Sequence, residues 1–307
     1  MKYTDILGNE KVKDILKKAV QHNTVLHSYL FVGEEGIGKS LFAKEFAKSI
    51  LCLGKEKPCE ACKSCIEIEE NNQPDYIEIV PDGNSIKIEQ IRNMQLKVAE
   101  KPIVSTKKVY VIQEADTMTQ EAQNALLKTL EEPPEYITII LIASNENSIL
   151  NTIKSRCTKI VFEPLSNEEL KRYAQEYWKD ATIPEEVFAS SMGSIARLRN
   201  NIEHQELYTN VYQCINQIEN KSLLDFLKQA ESIAKAKEES DAVLEFLVSI
   251  LFSLAKEKTE KKQNYLNCVE IVDNTKKNLQ FNSNYDMQID TMLIKMWEEI
   301  HEKSYWC

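Results

Sequence analysis

Short apolar runs alternate with amphipathic stretches along the first half of the chain. The runs lie at 28–32, 76–80, 108–112, 138–143 and 159–162, and their branched and aromatic residues favour strands. Between the runs, apolar positions recur at helical spacing; after Asn9, a residue favoured at helix N-caps, they include Val12, Ile15 and Leu16. Strands that alternate with helices predict a five-stranded parallel sheet covered by helices on both faces.

The pattern changes after Pro164, beyond which the sequence contains helical periodicity only. Ser166 and Glu169 form an S-x-x-E capping box at the start of one predicted helix. We therefore predict an α/β domain at 1–164, a small helical lid at 165–205 and an all-α domain at 206–307. An apolar stripe in the last domain is expected to form its core, and it consists of Leu244, Leu247, Val248, Leu251 and Leu254.

The first strand leads into a glycine-rich loop that fits G-x-x-x-x-G-K-[ST]. Its residues that bind the nucleotide are expected to be Gly33, Gly36 and Gly38 in the flexible turn, then Lys39 and Ser40. Glycines let successive backbone N–H groups point inward around phosphate oxygens at the start of a helix. The lysine reaches the β- and γ-phosphates and the hydroxyl binds Mg²⁺. The loop predicts binding of ATP with Mg²⁺.

Four of the eight cysteines lie in an insertion of fourteen residues at 52–65. They are spaced C-x6-C-x2-C-x2-C, at Cys52, Cys59, Cys62 and Cys65. Four thiolates at such spacing suit a closed tetrahedral zinc site. An iron–sulfur cluster is the alternative, but a proline usually follows the last cysteine of such runs and Ile66 stands here. We predict structural Zn²⁺.

The third strand ends in an acidic segment, Gln113 to Asp116. ATPases with this type of loop usually place an aspartate and then a glutamate here, the first for the Mg²⁺ shell and the second for the attacking water. Gln113 replaces the aspartate, whereas Glu114 is the glutamate. Asp116 is expected to cap the next helix. A neutral amide does not offset the charge of the metal, so weak Mg²⁺·ATP binding and slow or absent hydrolysis are predicted.

The composition limits the classes of partner and compartment. The net charge of −10 does not indicate a general nucleic-acid surface, so contact with DNA would be local or through partners. The sequence contains neither a signal-peptide core nor an apolar run of membrane-spanning length. A cytoplasmic protein is predicted.

Taken in order, these motifs resemble a known family. The motifs are HSYLFVGEEGIGKS, the four-cysteine insertion, QEADTMTQEAQNALLKTLEEPP, LIASN and SRC. The sequence resembles the AAA+ subunits of the bacterial clamp loader of DNA polymerase III, strongly over residues 1–200. The resemblance is weaker beyond them, where 278–293 is similar to part of the family's collar domain, and it implies that the all-α domain at 206–307 is an oligomerisation (collar) domain.

The resemblance implies roles for further residues. Asn145 matches the sensor 1 position near the γ-phosphate, and Arg197, or else Arg199, matches sensor 2 in the lid. Arg156 in the SRC motif matches an arginine finger, which acts in trans on the nucleotide of a neighbouring subunit. Without the resemblance, Asn145 reads as a loop cap and the arginines read as surface charges.

The resemblance also implies partners. They are the other clamp-loader subunits (delta and tau/gamma) in a hetero-pentamer, the sliding clamp and, through the complex, primed DNA during replication. The nucleotidyltransferase activity of that DNA-directed DNA polymerase resides in another subunit. Two alternatives stay open: the ATP-hydrolysing motor subunit of the same complex, against which Gln113 counts, and a stand-alone P-loop nucleotide enzyme.

Overall fold

A computed structural model describes residues 6–179, 183–237, 240–280 and 284–302. The chain divides into two compact units, Met1–Glu169 and Leu170–Cys307. The predicted boundary at 164 lies near this division, and the predicted lid at 165–205 extends across it. Within the described residues, no helix is both long enough and apolar enough to cross a membrane.

The first unit is built around a parallel sheet. Its strands are β1 (Ser28–Val32), β2 (Tyr76–Ile79), β3 (Lys108–Ile112), β4 (Ile137–Ala143) and β5 (Thr158–Val161). They lie in the order β2-β3-β4-β1-β5, with each neighbouring pair parallel. The prediction of a five-stranded parallel sheet is confirmed. The strands β1, β3 and β4 are buried along their whole length, as expected for a sheet with helices on both faces.

The helices of this unit follow the strands in the predicted alternation. They are α1 (Glu10–Gln21), α2 (Lys39–Leu51), α3 (Lys63–Glu69), α4 (Ile88–Val98), α5 (Gln120–Glu131) and α6 (Asn151–Lys154); α7 (Asn167–Tyr177) begins in this unit and has most of its residues in the second. Two apolar clusters sandwich the sheet: Phe31, Phe42 and Phe46 belong to one, and Tyr110, Leu126 and Leu141 to the other. The predicted capping box is confirmed, since the Glu169 carboxylate accepts the Ser166 N–H at 2.8 Å.

The predicted N-cap position of the first helix is confirmed, but two details differ from the prediction. Asn9 stands at the N-cap position, but its side chain bonds the backbone N–H and carbonyl of Glu163 at 2.8 and 3.0 Å and does not cap the helix. Ile15 is half exposed rather than buried, whereas Val12 and Leu16 are buried. Periodicity alone did not reveal how narrow the buried face of α1 is.

The described residues of the second unit form helices joined by turns and loops, and they form no strand. Its helices after α7 are α8 (Glu185–Ser190), α9 (Ile195–Glu203), α10 (Gln205–Asn216), α11 (Leu223–Gln229), α12 (Glu231–Lys235), α13 (Ser240–Glu257), α14 (Lys262–Gln280) and α15 (Tyr285–His301). Leu244, Leu247, Leu251 and Leu254 on α13 are buried in one core with residues of α14 and α15. The predicted apolar stripe is therefore the core of this unit.

Candidate functional site

The glycine-rich loop joins the end of β1 to the start of α2, at the edge of the sheet where parallel strands end. Gly36 and Gly38 have φ angles of +75° and +99°, values that favour glycine. A Cβ on Gly33 would lie 2.8 Å from the carbonyl oxygen of Phe162. The backbone thus turns tightly into the N-terminus of a helix of thirteen residues, which is the geometry of a phosphate nest.

Lys39 is buried and folds back onto the loop. Its ammonium donates to the carbonyls of Gly33 and Glu34 at 2.6 and 2.5 Å and to Ser144 Oγ at 3.3 Å. Burial lowers the pKa of Lys39, and the carboxylate of Asp116 opposes that shift most strongly. The three N–H donors of the Lys39 ammonium thus lie inside the loop. A phosphate group in the loop could accept them in place of the two carbonyls and Ser144, with α2 unmoved.

The predicted metal-binding half of the site departs from the usual arrangement. The Ser40 hydroxyl donates to Gln113 Oε1 at 2.7 Å, so the structure brings together the predicted Mg²⁺ ligand and the amide that stands in place of an aspartate. Glu114 is exposed, with a left-handed φ of +46°. A carboxylate therefore follows Gln113 by one residue, but the group that contacts Ser40 is the neutral amide of Gln113.

Asp116 is not a helix cap, contrary to our expectation. It lies in a 3₁₀ turn, Ala115–Thr117, and its Oδ2 accepts the backbone N–H groups of Ser144 and Asn145 at 3.2 and 2.8 Å. Thr119 caps α5 instead, accepting the N–H of Ala122. Asp116 holds the end of β4 against the end of β3, and Ser144 connects it to Lys39.

Sequence reasoning missed Ser144 as a member of this site and assigned Asp116 to a helix cap. The neighbouring parallel strands β3 and β4 end at the same edge, and that pairing is the signal that could have found them. Asn145 lies beside them, but its side chain accepts the N–H of Asn147 at 3.0 Å, which is the loop-cap interaction. Its sensor role stays a prediction.

Arg156 lies at the opposite edge of the sheet from the glycine-rich loop. The hydroxyl of Ser28, the first residue of β1, donates to the carbonyl of Arg156 at 2.6 Å, and β5 begins two residues later, parallel to β1. Gly33 follows the far end of β1, about 17 Å away at 3.3 Å per residue. The structure therefore does not bring Arg156 to the chain's own loop.

The guanidinium of Arg156 rests on its own chain. Nη1 donates to the carbonyl of Thr152 at 2.9 Å, and Nη2 donates to Glu131 Oε1 at 2.6 Å. Arg197 and Arg199, the two candidates for sensor 2, lie on α9 in the second unit, where Arg199 donates to the hydroxyl of Tyr173 at 3.3 Å. Their predicted role stays a prediction.

The four clustered cysteines converge. The sulfur atoms of Cys52, Cys59, Cys62 and Cys65 all lie within 4.8 Å of one another. A tetrahedral zinc–thiolate site with bonds of about 2.3 Å places its sulfurs about 3.8 Å apart, so the cluster could hold such an ion. The structure contains no other group of three or more metal-ligating residues among those it describes.

Backbone N–H groups surround the cysteine sulfurs. Cys52 Sγ accepts the N–H groups of Gly54 and Cys59, both at 3.3 Å, and Cys62 Sγ accepts that of Leu53 at 3.5 Å. The N–H groups of Ala61 and Cys62 lower the pKa of the Cys59 thiol to about 6. These donors favour thiolates, the form that binds a metal, whereas burial raises the pKa of the Cys52 and Cys65 thiols.

The cysteine module is anchored to the helix that carries the glycine-rich loop. Lys48 on α2 is buried, and its ammonium lies 3.1 Å from Glu60 in the module, 2.5 Å from Glu69 on α3 and 3.8 Å from Glu45. Cys52 directly follows the last residue of α2. One helix thus connects the phosphate loop to the cysteine cluster.

Comparison with known proteins places the chain in a family. The family model described as DNA polymerase III, delta subunit, matches residues 8–166. The chain is 37% identical over 193 residues to DNA polymerase III subunit delta' of Bacillus subtilis, covering 62% of this chain and 56% of that one. It is 34% identical over 184 residues to the tau/gamma subunit of Haemophilus influenzae, covering 59% and 27%.

Among solved structures, a DNA polymerase III gamma subunit-related protein of Thermotoga maritima matches with a TM-score of 0.47 at 17% identity, covering 93% of this chain and 99% of that one. That likeness is too remote to bear on function. The chain spans about half or less of the length of the two curated relatives. Since the family model matches more than half of its residues, the chain belongs to the DNA polymerase III delta-subunit family of AAA+ clamp-loader subunits.

Proposed function

We propose that the chain is a delta-prime subunit, which takes part in loading the sliding clamp onto primed DNA and supplies Arg156 to the nucleotide of a neighbouring subunit. Its partners would be the delta and tau/gamma subunits in a hetero-pentamer. The chain itself would bind ATP through Gly33, Gly36, Gly38, Lys39 and Ser40, with Asn145 and Arg197 as sensors. Glu114 would be a weak contributor to hydrolysis, because the group beside Ser40 is neutral.

The position of Arg156 carries this proposal. Arg156 and the chain's own phosphate loop lie at opposite edges of the sheet, about 17 Å apart along β1, which is farther than an arginine side chain reaches. A guanidinium fixed at that edge can serve a nucleotide held by another subunit. There it would neutralise charge that spreads onto the γ-phosphate oxygens during hydrolysis.

The motor subunit, tau/gamma, is the second candidate. The comparable identity of the Haemophilus influenzae relative and the complete glycine-rich loop favour it. Gln113 counts against it, because a motor needs a carboxylate for its Mg²⁺ shell.

Substitution of the finger tests the proposal. R156A in a reconstituted clamp loader should lower hydrolysis at the one site that it serves by roughly 10³-fold, the lower range for arginine fingers, so total turnover falls by that site's share. Nucleotide binding by the isolated R156A chain should be unchanged. R92A, which removes an exposed arginine on α4, is the matched control in assays without DNA. Unchanged turnover in R156A would exclude a role in trans.

We also propose that the cysteine cluster binds one structural Zn²⁺. Four thiolates leave no open position for catalysis, so the ion would stabilise the insertion. Elemental analysis of the purified chain should give one zinc per chain. Iron in its place would make the iron–sulfur alternative correct.

A further inference from the structure

Glu131 contacts the proposed finger directly. Its Oε1 lies 2.6 Å from Nη2 of Arg156, and the side chains are 50% and 35% exposed. On the same guanidinium, Nη1 donates to the carbonyl of Thr152 and lies 3.4 Å from Ser155 Oγ. Three of the five N–H donors of the guanidinium are thus directed at its own chain.

Helix stability does not explain the position of Glu131. It is the last residue of α5, where the helix dipole disfavours a carboxylate and favours a cation. Glu132 follows at the same helix end and forms no ion pair with any residue that the structure describes. Glu131 therefore differs from its neighbour by its contact with Arg156.

The backbone of Arg156 is fixed while its side chain can exchange partners. The carbonyl is bonded by Ser28, and the N–H donates to the carbonyl of Ile153 at 3.0 Å. The ion pair with Glu131 is partly exposed, and exposed ion pairs are weak. Such a pair favours the paired over the unpaired side-chain orientation by at most about fivefold. A triphosphate carries more negative charge than one carboxylate, so it can displace Glu131 from the guanidinium.

We propose that Glu131 is a positioning residue that holds Arg156 in a resting orientation against its own chain until the phosphates of a neighbour's nucleotide replace it. This inference rests on the proposed function of Arg156 in trans. Glu131 then determines the ATP concentration at which Arg156 leaves its own chain and contacts the nucleotide in the neighbouring site. It does not alter the rate once the finger is in place.

The test uses the clamp loader reconstituted with this chain. E131Q should lower the ATP concentration for half-maximal hydrolysis by about two- to fivefold and leave kcat unchanged, because the finger no longer has to leave a carboxylate. E132Q, the matched control, should change neither quantity. In the R156A background, E131Q should have no effect, since no finger remains to be held.

The outcomes distinguish failure of the resting contact from failure of the proposed role of Arg156 in trans. Suppose that R156A loses turnover as expected. If E131Q then leaves the half-maximal ATP concentration unchanged, or lowers kcat, the resting contact is overturned and the proposed function of Arg156 stands. Unchanged turnover in R156A would remove the proposed function, and the resting contact with it.

A second measurement examines the contact without the complex. In the isolated chain, ¹⁵N NMR of the guanidinium groups should show faster rotation of the Arg156 group in E131Q than in E132Q. Equal rotation in the two variants would overturn the inference.

Discussion

We expect the Ser40–Gln113 hydrogen bond to limit how the glycine-rich loop binds a metal ion. In the unchanged chain the hydroxyl donates to a neutral amide oxygen at 2.7 Å. Q113D would place a carboxylate at that point, and hydrogen bonds to charged groups contribute about 1.5–3 kcal/mol. We expect Mg²⁺ to lower the Kd of Q113D for ATP about tenfold or more. In the unchanged chain, Mg²⁺ should change the Kd for ATP little.

Nucleotide titration of the isolated chains with and without Mg²⁺ measures this difference. The gain should disappear in the double variant S40A/Q113D, because the Mg²⁺ shell needs the hydroxyl as well. A strong effect of Mg²⁺ on the unchanged chain would contradict the argument and favour the motor subunit.

The helix α2 connects the phosphate loop to the cysteine module, and Lys48 is its point of attachment. Lys48 and Glu45 are both buried on this helix, and Glu60 and Glu69 bring the module and α3 to the same ammonium. Removing one partner of a buried charge cluster leaves the others uncompensated, so K48M should lower the free energy of unfolding by about 3 kcal/mol. Urea unfolding measures it, and K44M, which removes a single hydrogen bond to Asn71, is the control.

The difference in unfolding free energy between the unchanged chain and K48M should depend on pH with a defined sign. The hydrogen bond from Lys48 lowers the pKa of Glu69 to about 2, below its unfolded value of about 4.5. Its contribution is therefore complete above pH 4.5 and is lost as the pH falls toward 2. The gap between the unchanged chain and K48M should shrink over this range, and solvent screening of the partly exposed Glu69 limits how much. A gap that widened in acid would contradict the assignment.

The elements could be predicted from the sequence because their signals are local. Apolar runs and helical phase located all five strands and the helix after the glycine-rich loop, and cysteine spacing located the cluster. Long-range contacts were not predictable in this way. Asn9 carries a capping signal, yet its side chain bonds Glu163, 154 residues along the chain. Asp116 and Glu131 find their partners on other elements, and no spacing rule encodes those pairs.

At the scale of the molecule, the glycine-rich loop and Arg156, the proposed finger, lie at opposite ends of β1, so the two cannot serve the same nucleotide. If Arg156 acts as proposed, a complete catalytic centre requires two subunits, one for the loop and one for Arg156. The isolated chain should therefore hydrolyse ATP slowly or not at all. The rate per chain should also stay constant as the chain concentration rises.

The concentration series distinguishes the two candidate subunits. If copies of this chain placed Arg156 against one another's loops, the rate per chain would rise with concentration, and R156A would abolish the rise. That result would show self-assembly as a motor and contradict the delta-prime proposal. A flat series that becomes active when tau/gamma and delta are added, and that loses part of this activity in R156A, is the outcome expected of a subunit whose finger serves a neighbour.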